Sequence, residues 1–364
     1  MMKFRAGVHL VLFQLLLLSC LHAQDSTCFF YHGYPYGTEA NYNPLSLIMN
    51  GSFDILQIEN RNNKLFSLCI ANGARNVFDN ITHPSSRIAQ YGAHHFWTTE
   101  VFPTSIKLQN TQYWPNYKLH LIGGGMSYIG IAEWYRLHGF SYPKTMSFAT
   151  MVIYHYLNET VENNDYVGPT VDPIADLLIF DPAGILLFSI DGVPEFFSKT
   201  LNAADWSNQP LISFPEKTLV NNGQIFSFKI PLPFVGDKWK LLYLTGVEGV
   251  LGLSYRYNET DWLSVGGGLV ARDLVEVENT TGVRTQTTSL IYTGGIYYDR
   301  NNSLLASLVL GGARGYIAKT NIYPGLFDLG PLPLGVVFLL QKNYTVLFGI
   351  CTSFSPLGLA YAFR

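Results

Sequence analysis

Residues 357–364 read LGLAYAFR. Side chains alternate along an extended chain with a period of two. Leu357, Leu359, Tyr361 and Phe363 therefore share one face, and Gly358, Ala360 and Ala362 share the other. One face is large and apolar, the other small. A strand with lipid on one side and a packed or watery lumen on the other needs that division.

The same language extends back through the second half of the chain. Strands are expected at residues 224–232, 240–257, 262–272, 286–299, 303–314, 335–341 and 345–354. Most have about the length of a tilted barrel strand. The connections at 258–261, 299–302 and 342–343 are short, whereas 273–285 and 315–331 are long. Short turns at one rim and long loops at the other resemble outer-membrane barrels, as does the aromatic-rich last strand, although Arg364 follows its final aromatic. Glycines 266–268 and 294–295 fall inside strand text, where glycine marks a bend or close packing.

Composition agrees. Hydrophobic residues make up 48% and charged residues 13%, yet past the N-terminus no 20-residue apolar run is free of glycine and charge. That balance favours membrane contact through strands. A net charge of −3 supplies no basic field for nucleic acid. No P-loop, GxSxG, HExxH or CxxC pattern is present.

The expected fold is α+β, an antiparallel transmembrane β-barrel lying mainly in the C-terminal part, with an inserted bundle of about three helices. Residues 201–364 form the barrel region, 118–200 the helical subdomain, and 24–117 a mixed N-terminal region with short strands at 52–58 and 105–113. Residues 1–23 read as a signal peptide. Lys3 and Arg5 precede an apolar run, and Ala23 follows at a small-residue cleavage position. A lipobox-like Leu-Leu-Ser-Cys ending at Cys20 is the alternative exit. Cys28 and Cys69 are placed so that a disulfide between them is one option.

Chemistry-bearing residues collect in the helical stretch. His120 precedes a glycine triplet, Gly123, Gly124 and Gly125, each costing about 1 kcal/mol relative to alanine in a helix interior. A helix that keeps them needs a close neighbour. His155, Glu159 and Glu162 fall at i, i+4 and i+7 and share one helix face. Asp172-Pro173 reads as a cap followed by proline, with Asp176 one turn on, and Asp181-Pro182 repeats the device. Packed as neighbours, these helices bring His120, Glu159, Glu162, Asp172 and Asp176 towards one end of the bundle. Imidazole with carboxylates suits acid–base chemistry or a divalent metal such as zinc, manganese or iron. The plainer alternative is a set of helix caps and solvated ends. His83, His94 and His95 read as ordinary histidines.

The combination of a histidine opening one apolar helix (His120), ExxE closing the next (Glu159, Glu162), DxxxD opening a third (Asp172, Asp176) and a later Gly184 resembles a pattern in VanZ-like and related uncharacterised bacterial membrane families. It covers less than a quarter of the chain. The resemblance implies a shared polar cluster and no particular activity. Three functions follow as expectations: an outer-membrane barrel with a helical plug, structural or for transport; an envelope enzyme acting on a lipid or cell-wall intermediate through the five-residue cluster; or a soluble periplasmic binding protein. Membrane lipid is the expected partner, with a small-molecule or lipid ligand, and the expected site is the bacterial outer membrane.

Overall fold

The computed structural model describes residues 27–102, 115–278, 284–327 and 332–363. The expected signal peptide and the strand at 105–113 lie outside the described residues. The fold is α+β: one curled, half-barrel sheet of 13 strands with helices on its buried face.

The strands are β1 (Ala204–Asp205), β2 (Leu211–Ser213), β3 (Thr218–Val220), β4 (Ile225–Pro231), β5 (Trp239–Gly246), β6 (Glu248–Arg256), β7 (Asp261–Glu278), β8 (Arg284–Arg300), β9 (Ser303–Gly311), β10 (Tyr316–Ile322), β11 (Leu334–Gln341), β12 (Val346–Thr352) and β13 (Gly358–Phe363). From β4 to β13 each strand pairs antiparallel with the next, a meander set by short connections. The exception is β13, which pairs parallel with β2. The sheet order has two ends, β1 and β3.

Register turns the alternation within strands into two continuous rows. One row runs Leu241, Leu253, Val265, Ile296, Leu308, Thr320, Phe338, Phe348 and Tyr361 across neighbouring strands. It faces outward; Val265 is 57% exposed and Tyr361 55%. The adjacent row runs Lys240, Ser254, Ser264, Tyr297, Ser307, Asn321, Val337, Gly349 and Ala360. Ser254 through Ala360 in that row are buried. The sheet thus carries an apolar exterior, and its interior mixes small and polar residues with buried apolar ones such as Leu242, Leu244, Val250 and Val309.

Several sequence expectations need correction. Residues 52–58 form no strand; Asp54–Gln57 is a 3-10 turn, anchored by Ser52 Oγ donating to the Tyr154 carbonyl at 2.8 Å. Residues 240–257 are two strands joined in a hairpin at Val247, because Gly246 is the sole local turn signal. The long loop expected at 273–285 is largely strand, since β7 and β8 extend to Glu278 and from Arg284. Strand β10 was invisible: its inward Lys319 and Asn321 are polar and buried, so no apolar alternation marks it. That extra strand moves the 342–345 turn to the rim opposite the 257–260 turn, and the simple short–long alternation fails. Cys28 and Cys69 are both free.

Within the described residues before Ala204 the named elements are helical, with helices such as Pro44–Gly51, Ile70–Thr82 and Pro84–Tyr91 where a mixed region with short strands was expected. His94 and His95 are exposed on a short helix, Ala93–Phe96. Three later elements form that core. Helix α1 begins with wide π-helical turns at Asn116–Gly123 and continues as Gly124–Leu137. Helix α2 is Pro143–Glu162, with proline in its first turn. Helix α3 is the continuous run Asp172–Phe188. Its middle, Asp176–Phe180, is π-helical. Pro182 has no N–H to give the carbonyl one turn back, so the wider turn just before it takes up the mismatch. Asp172 and Asp181 are therefore not caps, and Asp181 lies inside a helix.

Tyr128, Ile131, Met151 and Phe188 from the helices pack with Phe226 and Phe228 of β4. Glu133 of α1 holds the N-terminal segment to this core: its carboxylate accepts the backbone N–H groups of Phe29, Phe30 and Tyr31 at 2.6, 2.9 and 2.8 Å. Glu133→Gln should lower stability by about 2 kcal/mol, since hydrogen bonds to a charged group are the stronger class; urea unfolding followed by tryptophan fluorescence measures it. Among the described residues no single helix is long and apolar enough to cross a membrane; one bent pair, Asp172–Phe188 with Val193–Thr200, meets the criterion at an 87° angle.

Candidate functional site

The glycine triplet explains how the three helices come together. A methyl group added at Gly123 would lie 2.4 Å from the Phe226 ring, at Gly124 3.3 Å from Nε2 of His155, and at Gly125 2.1 Å from Phe188. Each glycine faces a different neighbour: sheet, α2 and α3. Gly184 does the same from the α3 side, where a methyl group would fall 2.5 Å from the Leu121 carbonyl oxygen and 2.8 Å from that of His120. Both obstacles are backbone and cannot swing aside. Gly184→Ala should therefore cost about 1–3 kcal/mol and push Asp181 away from His120, which a thermal melt and an imidazole NMR titration would report.

At the crossing, His120 Nδ1 stands 2.9 Å from Asp181 Oδ1, a buried hydrogen bond. Its other nitrogen, Nε2, is 3.6 Å from Asp176 Oδ2. His155 Nδ1 comes within 3.1 Å of the same Asp181 oxygen but lacks hydrogen-bond geometry. Glu159, only 1% exposed, lies in the group with His120 and Asp176, their ligand-capable atoms within 4.8 Å of one another. Glu159 also joins Glu162 and Asp172 in an adjoining group that is half-buried on its outer side. Neither carboxylate oxygen of Glu159 has a hydrogen-bond partner.

All five residues picked out by sequence thus belong to one connected cluster. Two partners were missed. His155 lay on the same helical stripe and was legible there. Asp181 was masked by the proline after it, which made it look like a cap. Asp54 and Glu100 carried no sequence signal. Asp54 accepts from Asn158 at 3.3 Å, and Glu100, 1% exposed, accepts from Tyr91 Oη at 3.0 Å.

Electrostatics follow from burial and crowding. Burial alone would lower His120, but the Asp181 carboxylate against Nδ1, with Glu159 and Asp172 nearby, lifts it to about 9. Burial pulls His155 down to about 4, so that ring stays neutral at pH 7. Burial, then the charge of Asp176 and Asp172, drives Glu159 well above the carboxylate range. Burial, then Asp172 and Asp181, does the same to Asp176. Burial and Glu162 raise Asp54 to about 7. Crowded carboxylates in a dry site keep protons unless a cation replaces them.

Comparison of the chain with protein-family models, curated proteins and solved structures finds no match. The site is accordingly read from its own chemistry. One imidazole is oriented through Nδ1, Asp176 faces its Nε2, Glu159 lies in the same group, and two further carboxylates stand towards the outside. Such a set can hold or pass a proton or coordinate a divalent cation.

Proposed function

We propose that this chain is an outer-membrane enzyme: its curled sheet sits in the bilayer as a β-barrel wall, and its helical domain acts on a lipid or cell-wall intermediate. The convergence of His120, Glu159, Asp176 and Asp181 in one buried cluster carries the enzymatic part. A domain that only filled a lumen gains nothing from burying carboxylates, because each costs free energy unless paired. Clusters of groups with strongly shifted proton affinity collect at functional sites. The positions of the VanZ-like pattern, Gly184 among them, are those that meet here, which supports reading the pattern as a working centre.

The outward apolar row supports the location. Leu251, Leu253, Leu263, Val265, Ile296, Leu310, Ile350 and Leu359 are all at least 43% exposed; they lie on β6 to β9 and on β12 and β13, with Ile317 of β10 and Phe338 of β11, also exposed, between them. Scattered single exposures are normal, but a contiguous band of this breadth marks a membrane or a partner.

The test has two arms. After outer-membrane fractionation the chain should resist salt and carbonate extraction and should migrate faster unboiled than boiled on SDS gels. Mass spectrometry of envelope lipids and cell-wall fragments should show a species that changes when the wild-type chain is expressed and stays unchanged with His120→Asn or Asp176→Asn at equal protein level. Recovery in the soluble periplasm would sink the membrane reading. Equal envelope composition for the wild type and both variants would sink the enzymatic one and leave a plug or transport role.

A further inference from the structure

The geometry points to a divalent metal site in this cluster: His120 Nε2, Glu159 and Asp176 hold one cation of the manganese or zinc class, and Glu162 with Asp172 guards its open side. The inference deepens the enzymatic reading above by naming its cofactor.

Three observations lead there. First, His120 is wired as metal-binding histidines are. A ligating imidazole characteristically gives its other N–H to a carboxylate, which fixes the tautomer and raises the basicity of the free nitrogen. Here Nδ1 stands 2.9 Å from Asp181 Oδ1, and Nε2 faces Asp176 at 3.6 Å, where a cation would take the place of its proton. That separation is long for a hydrogen bond, yet two ligands of one ion lie at such distances when each is about 2.0–2.2 Å from the metal.

Second, Glu159 is buried with no hydrogen-bond partner on either oxygen, while one of its oxygens lies within 4.8 Å of ligand-capable atoms of His120 and Asp176. A cation between the three would give that buried carboxylate the partner it lacks. Third, the histidine and the nearer aspartate stand on π-helical turns, Asn116–Gly123 and Asp176–Phe180, a geometry that recurs at functional sites. The alternative grouping of His120 and His155 around Asp181 is already committed to the His120–Asp181 hydrogen bond, so Asp181 orients rather than ligates.

One nitrogen with two carboxylates is a mixed, fairly hard donor set, suited to Mn2+ or Zn2+ rather than to a thiophilic ion. Three protein ligands leave coordination positions open, as catalytic sites do and structural ones do not. The open side carries the half-buried Glu162 and Asp172. These two are placed to accept protons from whatever enters, and Glu159 links them to the ion.

The test uses the full chain purified in detergent, stripped with chelator and reloaded with Mn2+ or Zn2+ alone. Inductively coupled plasma mass spectrometry should find about one ion per chain, and calorimetry should give its affinity. Glu159→Gln and Asp176→Asn should each weaken binding by more than about tenfold, and Asp181→Asn, which touches the ion only through His120, by about 10–100-fold. Glu195→Gln, altering an exposed residue paired with Lys199, should leave binding unchanged. Because His120→Asn removes a buried, hydrogen-bonded ring, the isosteric carboxylate variants decide, with thermal melts confirming their fold. No retained ion, or wild-type affinity in folded Glu159→Gln and Asp176→Asn, would overturn the site. Activity lost in variants of a chain that never binds metal overturns the metal alone. Metal bound with no envelope change leaves the site standing and removes the enzymatic reading.

Discussion

Lys229→Met is expected to destabilise the folded chain by about 3–5 kcal/mol, the usual consequence of stranding one member of a buried ion pair. Lys229 of β4 and Asp299 of β8 meet at 2.6 Å with both side chains fully buried. The ammonium lies 4.9 Å from the centre of the Trp262 ring and 5.6 Å from that of Trp206. Removing the lysine leaves Asp299 buried without its ion-pair partner. Asp299→Leu should cost a similar amount by stranding the lysine. The double variant Lys229→Met/Asp299→Leu should recover most of the loss, because two apolar groups of similar size need no pairing. Urea titration in detergent micelles, read by tryptophan fluorescence, gives all three values. A single variant within about 1 kcal/mol of wild type, well below the range expected for a broken buried pair, would mean that water reaches the pair from the sheet interior.

The second large effect has the opposite sign. Glu159→Met should stabilise the metal-free chain by about 1–3 kcal/mol, the penalty of a buried polar group left unsatisfied, while abolishing the envelope phenotype. Methionine has nearly the same length and needs no hydrogen bond, so packing around α2 is kept. A residue retained for folding alone would not behave this way: removing it would destabilise the chain. Thermal melts of stripped protein beside the envelope mass spectra separate the two cases. A fall in melting temperature would place Glu159 among the structural residues and remove its part in the site.

Much of this molecule is written locally. Strand text from β4 to β13, apart from β10, is legible because the outward rows at Leu253, Val265, Ile296 and Tyr361 are apolar and strand periodicity follows from backbone geometry alone. Helix α2 announces itself through Pro143, and the end of α1 through Gly139, whose φ of +75° suits a left-handed stop. The stripe His155, Glu159 and Glu162 is likewise a matter of helical pitch. The glycine triplet signalled a close neighbour, though it could not say which.

Tertiary structure decided what those local signals left open. Strand β10 exists because Asn321 donates to Ser307 and accepts from Asn221 inside the sheet, contacts spanning long stretches of chain that no local pattern encodes. Asp181 looked like a cap because Asp-Pro usually opens a helix; only the continuation of α3 through Pro182 on a wide turn put its carboxylate on His120. The same holds for Gly184, whose missing side chain matters because the Leu121 and His120 carbonyls lie against it. Sequence determines periodicity, turn chemistry and the inventory of reactive groups, since these depend on near neighbours. Which groups share a buried volume depends on helix crossings and strand registers, and these are fixed only when the whole sheet and its helices pack.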